Sequence, residues 1–454
     1  MTVELMNRLS PALLNKSLAC ALMLLAGGAA FSIPTSAQNQ KWAASWAASA
    51  HGPYPAGNAS AQPVLQFAIE SAETGATDQS FRLMIRPTLW GRSGRLRFSN
   101  AFGTHPVTFD DVFIGLQSSA GNVAAGTNRR VLFGGKNGLT IPPGQTVYSD
   151  AVNLSFVKNA DDPLLAGRKL AVSFHVAGSS GPMTWHAKAL QTSYLTAPRA
   201  GSHGAEESDA AFPFTTTSWF FLDAFEVTAP ADTAVIACFG DSITDGTLST
   251  LNGDDRWPDV LARRLQAVYG NRVSVINAGI GGNQILGPAK YSAAAPVAGG
   301  PSALERLERD ALSLSGVTHL IWLEGINDLS RGATAEAVIA GMREFTQRVR
   351  ARKIKIIGAT ITSGLGNTGD AGTVSVNERR QVINNFIRTG NLFDGVADFD
   401  AATIDATTGG LRAEFQPNST IGGAGDKLHP NRAGYQAMAN AIDLKWLMPA
   451  RSKK

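Results

Sequence analysis

Four short stretches in the second half of the 454-residue chain carry residue types that could cooperate in ester chemistry. They are Gly240-Asp241-Ser242, Asn277-Ala278-Gly279-Ile280-Gly281-Gly282-Asn283, Gly325-Ile326-Asn327-Asp328 and Asp426-Lys427-Leu428-His429. A serine hydroxyl is a weak nucleophile until a base takes its proton. His429 is the candidate base for Ser242, and Asp426, three positions earlier, can reach the other ring nitrogen and set its tautomer. Attack on an ester puts negative charge on the carbonyl oxygen. The backbone N–H groups of Ser242 and Gly282 and the side-chain amide of Asn327 are candidate donors to it, each of a kind worth ~3–4 kcal/mol. Taken singly, these stretches read as turns and helix caps. The ordered set of four does not.

The elements that must carry these residues come after residue 230. Ala234–Phe239, Val273–Asn277, Thr318–Leu323, Ile354–Thr362 and Val396–Phe399 are apolar runs of strand length. Between them lie helix-like stretches, Pro258–Tyr269, Ala303–Ser313, Thr334–Arg352 and Val376–Arg388, and a last helix is expected over Asn431–Leu447. This alternation predicts five parallel strands covered by helices on both faces. In such a sheet ligands bind beyond the carboxyl ends of the strands. Ser242, Gly282 and Asn327 follow the first three strands and the Asp426–His429 loop follows the fifth, so all fall at one edge.

The first half reads differently. Val64–Ile69, Phe81–Ile85, Arg95–Phe98, Val107–Leu116, Leu170–Val176 and Phe220–Val227 are short β-type runs between Gly, Pro, Asn and Asp, as in an antiparallel sandwich or jelly roll. Residues 1–37 read as an export signal: Arg8 and Lys16, an apolar stretch from Leu18 to Phe31, then Thr35-Ser36-Ala37 as a cleavage site. The expected organisation is a signal peptide at 1–37, a β-sandwich-like domain at 38–230 and an α/β domain at 231–454. The signal predicts a secreted or periplasmic protein with no stable membrane insertion once it is cleaved. Of two cysteines, Cys20 would leave with the signal and Cys238 would be unpaired.

Composition is that of a globular protein, 44% hydrophobic and 17% charged. Forty basic against 36 acidic residues give a net charge of +4, scattered except for Arg348, Arg350, Arg352, Lys353 and Lys355. That run fits an exposed helix end, so no nucleic-acid partner is expected. Several motifs fail. Thr244 stands where the Gly-x-Ser-x-Gly elbow needs glycine. Gly364-Leu365-Gly366-Asn367-Thr368-Gly369 matches a dinucleotide pattern but runs into Asp370-Ala371-Gly372, with no immediate helix, and reads as a loop beside the site. Gly134-Gly135-Lys136-Asn137 lacks the Ser/Thr of a phosphate loop. None of the seven histidines has zinc-site spacing, and no metal or cofactor is expected. His175, His186 and His319 read as packing residues. Trp219-Phe220-Phe221 reads as core or interface, with Trp42 and Trp46 as packing partners.

With its four blocks in order, the stretch from Ala231 to Trp446 resembles the SGNH/GDSL hydrolase superfamily, which is named for a Ser, a Gly, an Asn and a His. The resemblance gives Ser242 the nucleophile, Gly282 the backbone donor, Asn327 the amide donor, and Asp426 with His429 the remaining dyad. Gly279 or Gly281 is the alternative to Gly282. Ile243 replaces the commoner Leu after the serine. Arg256-Trp257-Pro258-Asp259 and Leu304-Glu305-Arg306 resemble exported bacterial members with an N-terminal β-domain. The resemblance implies a flavodoxin-like three-layer α/β/α sheet and a serine esterase acting on acetyl, short-acyl, carbohydrate or aryl and alkyl esters. A lysophospholipase-like acylhydrolase, a glycan-binding protein with an inactive hydrolase domain, and a sugar acyltransferase are the competing expectations. The expected partner is a small-molecule or polysaccharide ester, and the oligomeric state stays open.

Overall fold

Up to Pro230 the sequence is broken into short β-type runs, and beyond it the apolar runs lengthen and alternate with amphipathic stretches. The computed structural model describes residues 40–448. The expected export signal, residues 1–37 with Cys20, lies outside the described residues. Contacts group residues 41 onward into one compact unit.

Among the described residues the β-rich part holds three sheets, with antiparallel pairing wherever the strand register is defined. One is ordered Gln40–Ala47, Leu222–Pro230, Ser93–Ser99, Val152–Asn153, with Thr146–Tyr148 also on Ser93–Ser99. A larger one is built on Thr77–Ile85, Leu170–Ser179 and Val107–Ser119. A small third pairs Trp219–Phe220, Thr184–His186 and Gly52–Pro53. The first two sheets meet face to face through phenylalanines: Phe98 of the first stands 5.1 Å from Phe109 and 5.2 Å from Phe174 of the second, and Phe81 stacks on Phe174 at 5.3 Å. Such rings contribute both buried area and edge-to-face attraction. Trp46 packs on Trp219 at 4.9 Å, whereas Trp42 lies against the Arg95 guanidinium.

Two β-rich expectations are corrected. Val64–Ile69 forms a turn: Leu65 O accepts from both Ala68 N and Ile69 N. Leu65, Ala68 and Ile69 are buried while Val64 and Phe67 are 77% and 70% exposed, which is helical rather than alternating spacing. Phe220–Val227 is split, because Phe221 takes a positive φ of 59° and ends one strand before Leu222–Pro230 begins.

The second part is a five-stranded parallel sheet of Ala234–Gly240, Val273–Gly279, Val317–Leu323, Lys355–Ala359 and Gly395–Ala397. The spatial order is second, first, third, fourth, fifth, the flavodoxin-type doubly wound order. Successive side chains of the first strand serve opposite faces. Ile236 and Cys238 pack with Trp257, Leu261, Tyr435 and Met438. Val235, Ala237 and Phe239 join a core that includes Leu307, Phe345 and Ile383 and continues into the β-rich part. Cys238 is a buried free thiol. The fourth and fifth strands are shorter than expected, and Phe399 begins a helix, Phe399–Thr403, instead of ending a strand. The expected helix over Ala303–Ser313 is α only to Leu307 and then a π turn. The last helix stops at Asn440, with a separate 3-10 turn at Leu444–Trp446. No described helix is long and apolar enough to cross a membrane.

The strand ends are clamped by Arg306. Its guanidinium is buried, 3.7 Å over the Phe239 ring. It donates to Gly240 O at 2.9 Å, to Ala278 O at 2.8 Å and to Asn283 Oδ1 at 2.6 Å, and pairs with Asp310 at 3.2 Å. Glu324 lies 4.0 Å away; its Oε2 accepts from Trp322 Nε1 at 2.9 Å, and its Oε1 has no partner among the described residues. Burial pushes the Glu324 pKa up to about 8, and the Arg306 charge offsets this only in part.

Two predictions follow from this packing. Phe174→Ala should lower unfolding free energy by ~3–5 kcal/mol in urea, since it empties the contact between two sheets; a loss below about 1 kcal/mol would contradict that packing. Glu324 binds its proton more tightly folded than unfolded, so its ionisation removes stability as pH rises from 4.5 to about 8. Glu324→Gln should flatten this decline, and pH–stability curves of equal slope for variant and wild type would refute the assignment.

Candidate active site

Parallel register brings three of the four stretches to one rung. Gly240 pairs with Gly279 on one side and Leu323 on the other. Ser242, Gly282 and Asn327 therefore lie two, three and four residues beyond aligned strand ends. Gly240 leaves no room for a side chain, since a Cβ there would stand 2.3 Å from Leu323 O and from Thr244 Oγ1. Ser242 opens the short helix Ser242–Asp245, whose N-cap Asp241 accepts from Ile243 N at 2.9 Å. Asp241 is buried, and desolvation pushes its pKa up to about 7.

The fourth stretch folds over this edge. Ser242 Oγ lies 2.7 Å from His429 Nε2, and His429 Nδ1 lies 2.5 Å from Asp426 Oδ2. Asp426 Oδ1 also accepts from the backbone N–H of Leu428 and His429, both at 2.9 Å. That tight turn puts Lys427 at a positive φ of 64°. Burial opposes ionisation of Asp426, but the hydrogen bonds and charge of His429 and the two backbone donors outweigh it and bring its pKa down to about 2. With an ionised acceptor on Nδ1, the tautomer with hydrogen on Nδ1 leaves Nε2 free to accept the serine proton. The Gly364–Gly372 loop lies beside this turn, with Asn367 Nδ2 donating to Asp426 O at 2.6 Å.

The glycine-rich stretch resolves into distinct roles. Gly279 N donates to Asn277 Oδ1 at 2.8 Å and Gly281 N to Asp245 Oδ2 at 3.0 Å. Gly282, at φ 82°, has no backbone N–H partner among the described residues. Asp328 locks this loop onto the third strand's exit by accepting from Ile285 N and Leu286 N, each at 2.9 Å. Asn327 Nδ2 donates to Asn283 O at 2.9 Å, while its contact with Asp241 Oδ2 is stretched to 3.5 Å. The second N–H is thus weakly engaged beside Ser242.

Groups from the β-rich part line the back of the site. Lys188 is 3% exposed, and its Nζ donates to Thr247 Oγ1 at 2.5 Å. Burial lowers its pKa, and Asp245, Asp241 and Asp426 oppose that shift. His186, expected to be a packing residue, has its Nε2 3.1 Å from Asp245 Oδ1 and its Nδ1 2.8 Å from Ser49 O. Asn58 Nδ2 donates to Gly281 O at 2.7 Å. Sequence reasoning missed Asn58, Lys188 and Arg306's clamping role. Arg306 was marked only by resemblance, and Asn58 and Lys188 have no spacing relation to the four stretches. By contrast, His175 is tied to Asp110 and Asp78 and His319 to Thr318, as structural residues. Among the described residues no group of three or more His, Cys, Asp or Glu is arranged to hold a metal.

Residues 238–437 match the GDSL-like lipase/acylhydrolase family. No curated protein matches the chain significantly. Similar solved structures include a lipase/acylhydrolase from Enterococcus faecalis, at 22% identity, covering 48% of this chain and 100% of that one with a TM-score of 0.36. A GDSL-like lipase from Bacteroides thetaiotaomicron matches at 15% identity over 46% of this chain and 84% of its own, TM-score 0.33. A carbohydrate acetylesterase from Sinorhizobium meliloti matches at 14% identity over 46% and 96%, TM-score 0.35. The match over residues 238–437 supports the resemblance to the SGNH/GDSL hydrolase superfamily that the four sequence blocks carry.

Proposed function

We propose that the chain is an exported serine esterase that cleaves carboxylic esters through an acyl-serine intermediate. The observation that carries this reading is the unbroken relay from Ser242 Oγ to His429 Nε2 and from His429 Nδ1 to Asp426, at 2.7 and 2.5 Å. His429 Nε2 takes the hydroxyl proton as Ser242 Oγ bonds to the ester carbonyl carbon. Charge on the carbonyl oxygen is met by the N–H groups of Ser242 and Gly282 and by Asn327 Nδ2. Asp426, ionised throughout the working range, stabilises the imidazolium without taking its proton. Collapse of the tetrahedral adduct breaks the ester C–O bond, and the departing alcohol leaves with the proton from Nε2. A water then gives a proton to His429 Nε2 as it attacks the acyl carbon, and collapse breaks the acyl C–Oγ bond while Nε2 returns the proton to Ser242 Oγ, releasing the acid.

Acetyl and other short acyl groups on polysaccharides, or small aryl and alkyl esters, are the proposed substrates. Export and the β-rich part covering the back of the site support this choice. Location in the periplasm or medium is part of the same proposal and rests on the signal-like residues 1–37.

Screening an ester panel with wild type and Ser242→Ala in parallel tests the function. We predict that Ser242→Ala abolishes turnover with unchanged far-UV circular dichroism; wild-type-like hydrolysis of p-nitrophenyl acetate by that variant would reject the nucleophile. In the same panel, a preference for long acyl chains would replace the short-acyl reading with a lipase-like one. Asn327→Ala should lower kcat by ~10²–10³ with little change in KM, and an effect on KM alone would remove Asn327 from the oxyanion role.

A further inference from the structure

A side chain of the β-rich part is hydrogen-bonded to the candidate oxyanion loop. Asn58 Nδ2 donates to Gly281 O at 2.7 Å, and Gly281 C=O belongs to the same peptide unit as Gly282 N–H. A trans peptide is planar, with its C=O and N–H pointing to opposite sides. Anchoring the carbonyl therefore aims the N–H. Two successive glycines have the least intrinsic resistance to rotation of that plane, so an external anchor matters here more than elsewhere. Gly281 N is already held by Asp245 Oδ2, so with Asn58 in place both ends of residue 281 are fixed. A hydrogen bond to the carbonyl also polarises the amide and strengthens its N–H as a donor.

Asn58 is itself held by a rigid segment. Ala56 O accepts from Trp185 Nε1 at 2.9 Å, and Tyr54 N donates to Met183 O at 2.8 Å. Gly57 passes so close to His51 and Ala187 that a Cβ would lie 2.4 Å from His51 Nε2. On the other side of the contact, a Cβ on Gly282 would stand 2.8 Å from Asn58 Nδ2. The amide and the glycine loop are fitted to each other across 223 residues of sequence.

We infer that Asn58 is a positioning residue of the active site, holding the Gly281–Gly282 peptide so that Gly282 N–H faces the developing oxyanion. This rests on the esterase reading and gives the β-rich part a direct role in turnover. Asn58 is exposed, so its replacement leaves the core intact. Asn58→Ala is expected to lower kcat on p-nitrophenyl acetate about tenfold with KM within about twofold of wild type. Affinity for a boronic acid, which forms a tetrahedral oxyanion on Ser242, should fall by the same factor as kcat/KM. Asn58→Asp keeps the shape but offers only acceptors at neutral pH, so it should lose at least as much activity as Asn58→Ala, whereas a mere spacer would be indifferent to that exchange. Wild-type kcat in both variants, or a loss confined to KM, would overturn the inference. The two failures are distinguishable. If Ser242→Ala is inactive while both Asn58 variants match wild type, only the positioning role falls; if Ser242→Ala is itself active, the esterase reading falls.

Discussion

One buried guanidinium holds together the edge on which the chemistry is built. Arg306 donates to Gly240 O, the last carbonyl of the first strand, to Ala278 O near the end of the second, and to the side chain of Asn283 in the glycine-rich stretch. A charge removed from water is tolerated only where it is paired and hydrogen-bonded, and here Asp310 supplies the pairing. Removing the arginine would leave Asn283 Oδ1 without its donor and take one donor each from Ala278 O and Gly240 O, the latter keeping Ile280 N. The strand ends could then no longer hold Ser242 and Gly282 at a common rung.

Around that clamp the carboxylates divide by environment. Asp426, at the rim with two backbone donors and a histidine, is driven down to about 2. Asp241 and Glu324, enclosed with few donors, are driven up to about 7 and about 8. The same functional group is thus held as an anion beside His429 and made a weaker acid behind Ser242. Desolvation sets the direction where donors are few, and hydrogen bonds with nearby positive charge reverse it, as at buried Asp245 and Asp310, both lowered.

The β-rich part is a wall of the site as well as a neighbour of it. Lys188 stands against the aspartates behind Ser242, His186 meets Asp245, and Asn58 caps the glycine loop. The hydrophobic core runs without a break from its paired sheets to one face of the parallel sheet. Rigid attachment of this kind is what second-layer contacts need, because a donor that wanders by an ångström holds nothing in place.

The alternation of strand-length apolar runs with amphipathic stretches was enough to place Ser242, Gly282, Asn327 and the Asp426–His429 turn at one sheet edge, because strand exits in a parallel sheet all point the same way. Local spacing also sufficed for Asp426 to reach His429, since both lie in one turn. It misjudged Val64–Ile69 and the span Phe220–Val227, where a turn and a single positive φ broke runs that composition alone made continuous. It was silent on which glycine N–H is left without a partner, because that depends on Asn277 and Asp245 being near enough to occupy the others. Asn58, Lys188 and the clamp of Arg306 were likewise decided only by folding. Hydrogen bonds between residues 23 to 223 positions apart leave no periodicity in a chain; they exist only once packing has brought donor and acceptor within about 3 Å.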